Sequence, residues 1–361
     1  MDKKTQIFLP FAYVGAIIIC IFFSYNKGVT PDTGNYFKMA ENFPKLIENI
    51  FPMFYPINLS LFSLLGISTF AASKIFALTC FLVILSLSVL KRFYTKEIIL
   101  VLGLKISSIF YFSWSEPLFL MLFILYLYTV YLYINKAILE NKFLIYSSLL
   151  IFLLFSTRYS GLFVLISFII YQLLIYYKNK KLDYILLKST FISTLLIVLY
   201  LVFNFINFNN LLGNRKNFEL QATESIFSQI KSNIITLSHA VNPIYTELDY
   251  SENIIRFSII FSLLFLTFIF YRLVKIKSWI FKNKFFTFLF INAIVYFIFV
   301  TISNFQTKID GLNFRLLLPS IFIFYFLIIT NYLESNKNTY NIYLFIFSSL
   351  VINTASVISI Q

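Results

Sequence analysis

The sequence predicts an all-α polytopic membrane protein, and three observations carry that prediction. Hydrophobic residues make up 60% of the 361-residue chain and charged residues 12%, a balance more apolar than soluble globular chains carry. Apolar runs repeatedly approach or reach the roughly 20 residues that a helix needs to cross a bilayer. The basic residues, which give a net charge of +14, fall in short clusters between those runs. That is the pattern of loops retained on the cytoplasmic side, and not of a continuous surface for nucleic acid.

From the N-terminus, Lys3 and Lys4 precede an apolar segment over 6–25 that no small-x-small cleavage site follows, so it reads as a retained first span. The stretch 30–43, T-P-D-T-G-N-Y-F-K-M-A-E-N-F, comes next. Thr30 suits a helix cap, Pro31 the first helical position, and Asp32 the first turn, where a carboxylate meets the positive end of the helix dipole. Tyr36, Phe37, Ala40 and Phe43 recur at helical spacing, which predicts an amphipathic helix along a membrane face. Segment 52–66 is apolar but short and holds two prolines, so it reads as a re-entrant or interfacial helix.

With 52–66 not crossing, the later spans fall at 71–90, 98–113, 117–134, 143–157, 160–177, 184–206, 254–271, 285–302, 314–333 and 340–359. This topology of about 11 spans gives inner segments a charge of about +12 and outer segments about +1. The clusters Lys91/Arg92/Lys96, Lys136/Lys142, Lys178/Lys180/Lys181 and Arg272/Lys275/Lys277/Lys282/Lys284 then all lie inside. The N-terminus is inner and the C-terminus outer. Outer loops are expected at 26–70, with the surface and re-entrant helices, and at 207–253. No repeat or flexible linker divides the chain, so 1–361 reads as one transmembrane domain in a plasma or inner membrane.

The same topology gathers polar residues from separate spans at one face. Glu116 lies in W-S-E-P-L-F, Arg158 in F-S-T-R-Y-S-G, and Lys308, Asp310 and Arg315 in T-K-I-D-G-L-N-F-R-L-L-L-P. Ionisable groups so close to hydrocarbon are costly unless paired or hydrated, and they read as functional by default. The structural alternatives are a bridge from Glu116 to Arg158 or Arg315, and arginines that snorkel to lipid headgroups. His239, the one histidine, reads as a solvated loop residue, and Lys105 as snorkelling inward. Cys20 and Cys80 sit in apolar runs, so neither a disulfide framework nor a metal-ligand spacing is supported.

A carboxylate beside two arginines at a membrane surface suits sugar transfer from a lipid-linked phosphate. That reaction needs a base for the acceptor hydroxyl and cations for the departing phosphate. Arginine's planar fork donates two parallel hydrogen bonds to phosphate and keeps its charge.

The order of motifs resembles the integral-membrane glycosyltransferases of the GT-C fold. That superfamily includes protein O-mannosyltransferases, aminoarabinose transferases and the mannosyltransferases of glycolipid anchors. P-D-T-G-N-Y-F-K-M-A resembles its first outer loop, S-E-P-L-F its second acidic motif, and S-T-R-Y-S-G and F-R-L-L-L-P its Thr-Arg and Arg-x-x-x-P signatures. Y-P-I-N-L-S-L-F-S-L-L-G is similar to the short helix after the first loop. The resemblance implies a polyprenyl-phosphate sugar donor, a lipid, glycan or protein acceptor, and membrane lipids as surroundings. It implies Asp32 as base, Glu116 orienting acceptor or base, and Arg158 and Arg315 on the donor phosphate. Tyr36, Lys308 and Asp310 complete the expected substrate-binding set. The second motif has one acid where the family has an Asp-x-Asp pair, and no large C-terminal soluble domain follows. No cofactor is assigned, and dependence on magnesium or manganese stays open. A polysaccharide polymerase of the Wzy or EpsG type and a lipid-linked oligosaccharide flippase are the alternatives, the second requiring polar groups at mid-membrane depth.

Overall fold

The computed structural model describes residues 11–20, 28–45, 51–213, 226–243, 252–306, 312–335 and 340–359. Among them there is no strand. The helices are α1 (Phe11–Cys20), α2 (Pro31–Asn42), α3 (Phe54–Ser63), α4 (Thr69–Leu90), α5 (Thr95–Leu102), α6 (Glu116–Ile134), α7 (Glu140–Thr157), α8 (Leu162–Asn179), α9 (Tyr184–Phe208), α10 (Ile226–Val241), α11 (Glu252–Lys282), α12 (Lys284–Gln306), α13 (Phe314–Ser335) and α14 (Tyr340–Ser359).

Seven described helices are long and apolar enough to cross a membrane: Thr69–Leu90, Glu116–Ile134, Tyr159–Lys178, Tyr184–Phe208, Ser258–Lys282, Lys284–Phe305 and Phe314–Ser335. They correspond to seven of the expected spans. Segment 143–157 is helical within α7, and the last expected span holds a shorter apolar stretch, Phe345–Ala355. The first is described only over 11–20.

The centre of the bundle is α13, α12 and α6. Their apolar windows are 67%, 56% and 61% buried, against 22% for α9 and α11. Helix α6 packs on α4, α7 and α12, and α13 packs on α5, α10, α11 and α12. The exposed faces of α9 and α11 carry Phe191, Leu195, Leu199, Ile206, Leu264 and Phe270, the chemistry of a lipid-facing surface.

Three expectations change. The span expected at 98–113 is broken: α5 ends at Leu102, and a 3-10 helix runs over Lys105–Tyr111. Gly103 marks the break, because a Cβ there would collide with the Tyr13 ring of α1. Ile99, Leu100, Val101, Ile106 and Ile109 are fully buried, so this irregular backbone is shielded by protein, the condition for such a segment inside hydrocarbon. The span expected to end at 271 instead continues helically to Lys282. The 207–253 connection contains α10, which packs on α11 and α13.

Helix α2 forms where expected, but its buried residues are Thr33, Tyr36, Met39 and Ala40, while Phe43 is 44% exposed. The face turns because the Thr33 hydroxyl accepts from the Thr30 N–H at 3.1 Å and donates to the Ser113 carbonyl at 3.1 Å. Helix α3 has ten residues, about 15 Å at the helical rise, too short to cross. It ends in a turn where Gly66 has φ +75°, a backbone that glycine adopts without strain.

Side-chain bonds fix the end of the bundle opposite the start of α6. The Tyr133 hydroxyl, near the end of α6, donates to both Asp183 carboxylate oxygens at 2.8 and 2.9 Å. Asp183 also caps α9 by accepting from the Ile185 and Leu186 N–H groups. Phe93, just past α4, packs its ring on Tyr131 and Phe285. The turns carrying Lys91, Arg92, Lys136, Lys180, Lys181, Lys282 and Lys284 therefore share that end.

Candidate functional site

Four charged side chains from four helix termini meet at the other end. Asp32 lies in the first turn of α2 and Glu116 begins α6, both favoured by the positive helix end. Pro117 occupies a position where a missing N–H costs nothing. Arg158 is the extended residue that closes α7. The chain turns immediately afterwards, and a Cβ on Gly161 would come within 2.5 Å of the Leu154 carbonyl carbon and the Phe155 nitrogen. The S-T-R-Y-S-G sequence is thus a tight reversal that leaves Arg158 at the helix end. Arg315 is the second residue of α13, started by Asn313, whose Oδ1 accepts from the Leu316 N–H at 3.0 Å. A cation there opposes the helix dipole, so it needs carboxylate partners.

It has two. Arg315 donates from Nε to Glu116 Oε1 at 2.9 Å and from Nη2 to Asp32 Oδ2 at 2.8 Å. Arg158 Nη1 lies 2.5 Å from the same Glu116 oxygen. The Glu116 side chain is 1% exposed, those of Arg158 and Arg315 16% and 19%, and that of Asp32 35%. Glu116 is therefore the floor of the cluster and Asp32 its accessible rim. With two carboxylates and two guanidiniums ionised, the four charges cancel. Glu116 Oε2 is buried with no hydrogen-bond partner among the described residues. Among the described residues Arg315 bonds Oδ2 of Asp32, and the Asp32 side chain is the more exposed of the pair.

The Tyr36 hydroxyl hydrogen-bonds Ser115 Oγ at 3.1 Å, one residue before Glu116. Burial first, and the nearby Glu116 charge second, push its ionisation well above the usual tyrosine range, so it serves as a neutral hydrogen-bonding group. Lys308 and Asp310 lie outside the described residues. Of the seven expected site residues, the cluster unites Asp32, Glu116, Arg158 and Arg315, with Tyr36 one hydrogen bond away. Glu116, expected to orient acceptor or base, is buried and bonded to both arginines.

Sequence reasoning passed over three neighbours. The Trp114 ring lies 4.2 Å from the Arg315 guanidinium carbon. Lys74 is 3% exposed within α4, and its Nζ donates to the Tyr111 carbonyl at 2.5 Å. The adjacent Ser73 hydroxyl donates to Ser113 Oγ at 2.8 Å, so Lys74 sits beside the polar chain that ends at Thr33. A lysine inside an apolar run was the available signal. Lys105, expected to snorkel inward, donates from Nζ to the His239 carbonyl at 3.4 Å and lies 5.3 Å from the Phe314 ring. His239 belongs to α10 and is half-buried, not a solvated loop residue, and burial, followed by the Lys105 charge, lowers its pKa.

Among the described residues no three His, Cys, Asp or Glu side chains cluster as metal ligands. Both carboxylates of the cluster already hold guanidiniums, a donor set that fits an arginine-bound anion better than a metal ion.

No family model, curated protein or solved structure matches the chain. Fold and site together define a chain whose described residues are helical, with seven helices among them able to cross a membrane and a four-charge cluster at one end of the bundle.

Proposed function

We propose that this chain is a GT-C-like membrane glycosyltransferase that moves a sugar, with inversion, from a polyprenyl-phosphate donor to a lipid, glycan or protein acceptor. One observation carries the reading: an accessible carboxylate, Asp32, shares Arg315 with a buried glutamate that also holds Arg158. The basic turns at the far end support an outer-face site under the positive-inside rule. On this reading α2 lies along the outer surface of a plasma or inner membrane, in a bundle of about 11 spans.

In the reaction, Asp32 Oδ1 takes the proton of the acceptor hydroxyl as the acceptor oxygen bonds to the anomeric carbon. The bond from that carbon to the phosphate oxygen breaks, and the electron pair leaves with polyprenyl phosphate. Outward N–H groups of Arg158 and Arg315 meet the added negative charge. Glu116 keeps the two guanidiniums side by side, which their mutual repulsion would otherwise oppose. Tyr36 supports the backbone through Ser115. Lys308 and Asp310 stay in the substrate-binding proposal on sequence grounds alone.

A second reading is favoured by the charge balance itself: a neutral quartet that only ties α2, α6, α7 and α13 together. Purified full-length protein incubated with a panel of polyprenyl-phosphate sugars distinguishes them. Release of polyprenyl phosphate that D32N abolishes supports transfer. A stable, well-folded protein that releases none from any donor, with or without candidate acceptors, supports the tie.

A further inference from the structure

The ion pairs leave one side of Arg315 unexplained, and Trp114 occupies it. The indole ring is 4.2 Å from the guanidinium carbon and stacks on Phe112 with centroids 4.1 Å apart and planes 11° apart. Two groups so close to one ring cannot share a face, so Trp114 is sandwiched between Phe112 and Arg315. Its indole N–H donates to Thr30 Oγ1 at 3.2 Å. Thr30 caps α2, two residues before Asp32. The contacts close a ring: Asp32 to Arg315 by charge, Arg315 to Trp114 by stacking, Trp114 to Thr30 by hydrogen bond, and Thr30 to Asp32 through the chain.

Phe112 is itself held, since a Cβ on Gly28 would lie 3.2 Å from its ring and 3.3 Å from the Tyr111 carbonyl oxygen, at a φ of +76°. The platform under Arg315 is therefore backed by a close-packed segment. When an acceptor engages Asp32, Arg315 gives up one of its two carboxylate anchors. Glu116 and the indole face are what remain to hold it.

We propose that Trp114 is a positioning residue that sets Arg315 and the start of α2 in one register, so that the guanidinium keeps its place while Asp32 is engaged. Its effect on turnover rests on the glycosyl-transfer reading; the positioning itself does not.

The test uses the full chain, whose two tryptophans are Trp114 and Trp279. Trp279 lies elsewhere, on α11, where its indole N–H donates to Glu334 of α13. In W279F protein, acrylamide quenching therefore reports Trp114 alone. Adding R315K, which swaps a planar stacking group for an ammonium, is expected to raise the quenching constant about twofold. An unchanged constant overturns the positioning. In turnover, W114F keeps a ring face without the N–H and W114A keeps neither. Donor KM is expected to rise about tenfold in W114A and to stay within about twofold in W114F; equal rises in both overturn the stacking role. If W114A does not fold, W114F decides the remaining contact: it removes the indole N–H bond to Thr30 while leaving the Thr30 cap of α2 in place, so it must lower kcat, and a kcat equal to the parent's overturns that link. Quenching that responds in a protein without transferase activity leaves the positioning standing and removes the transfer reading.

Discussion

Arg315 and Asp32 stand 283 positions apart in the chain and are joined Nη2 to Oδ2 at 2.8 Å, with the same guanidinium bonded through Nε to Glu116. The two bonds use two nitrogens of one guanidinium. The Asp32 side chain is 35% exposed and that of Glu116 1%, so one partner is open to the surroundings and the other is enclosed.

D32N tests the open partner. Asparagine keeps the size and an acceptor oxygen but cannot take a proton at neutral pH. Transfer is expected to fall at least about a hundredfold, measured as released polyprenyl phosphate. Because the pair is partly exposed, apparent Tm should move by little, in line with under about 1 kcal/mol for such pairs. A variant with near-parent turnover removes the base assignment.

E116Q tests the enclosed partner. Glutamine leaves two guanidiniums side by side without their buried counter-charge, and breaking a buried pair in this way costs about 3–5 kcal/mol. Thermal unfolding in detergent should show a large loss. Adding R158M to E116Q should recover part of it, because one uncompensated cation is then gone. A double variant less stable than E116Q would show that Arg158 is held by something other than Glu116.

Lysine at the two arginine positions separates fork from charge. R315K cannot serve Asp32 and Glu116 in the same planar geometry, whereas R158K can still place one ammonium on Glu116. Donor KM is expected to rise more in R315K, by about tenfold or more, than in R158K. Equal KM values measured for both variants and parent would exclude a phosphate contact.

G103A and G161A test the backbone that presents the site. A methyl group at Gly103 meets the Tyr13 ring, and at Gly161 it meets the backbone of Leu154 and Phe155. Each should cost about 1–3 kcal/mol by overpacking, read as lowered apparent Tm. Y13A, which opens space, should relieve G103A in part. No side-chain change relieves G161A, because the obstacle is main chain.

The sequence carried the helical class, the seven apolar helices long enough to cross and the separation of basic turns from the Asp32, Glu116, Arg158 and Arg315 motifs. Those features follow from hydropathy, length and charge, which act locally. The break at Gly103 was not legible, since the 98–113 run is mostly apolar and the groups that forbid a side chain at Gly103, Tyr13 and Ile346, come from distant helices. Lys74 and Trp114 were in plain view as residue types, but their roles depend on which helices lie beside them. Rank in the bundle was equally hidden: α13 and α9 have nearly equal hydropathy, 2.0 and 2.2, yet 67% of one window and 22% of the other are buried.

By itself, then, the sequence determined that these helices form and that their charged ends collect at two opposite rims, because a bilayer imposes both through the cost of exposed backbone and misplaced charge. Only the tertiary structure decided that Arg315 bridges Asp32 and Glu116, that Glu116 lies beneath both arginines, and that Trp114 backs the guanidinium. Those pairings depend on helix rotation and neighbour choice, which apolar surfaces of similar hydropathy leave unspecified until side chains pack.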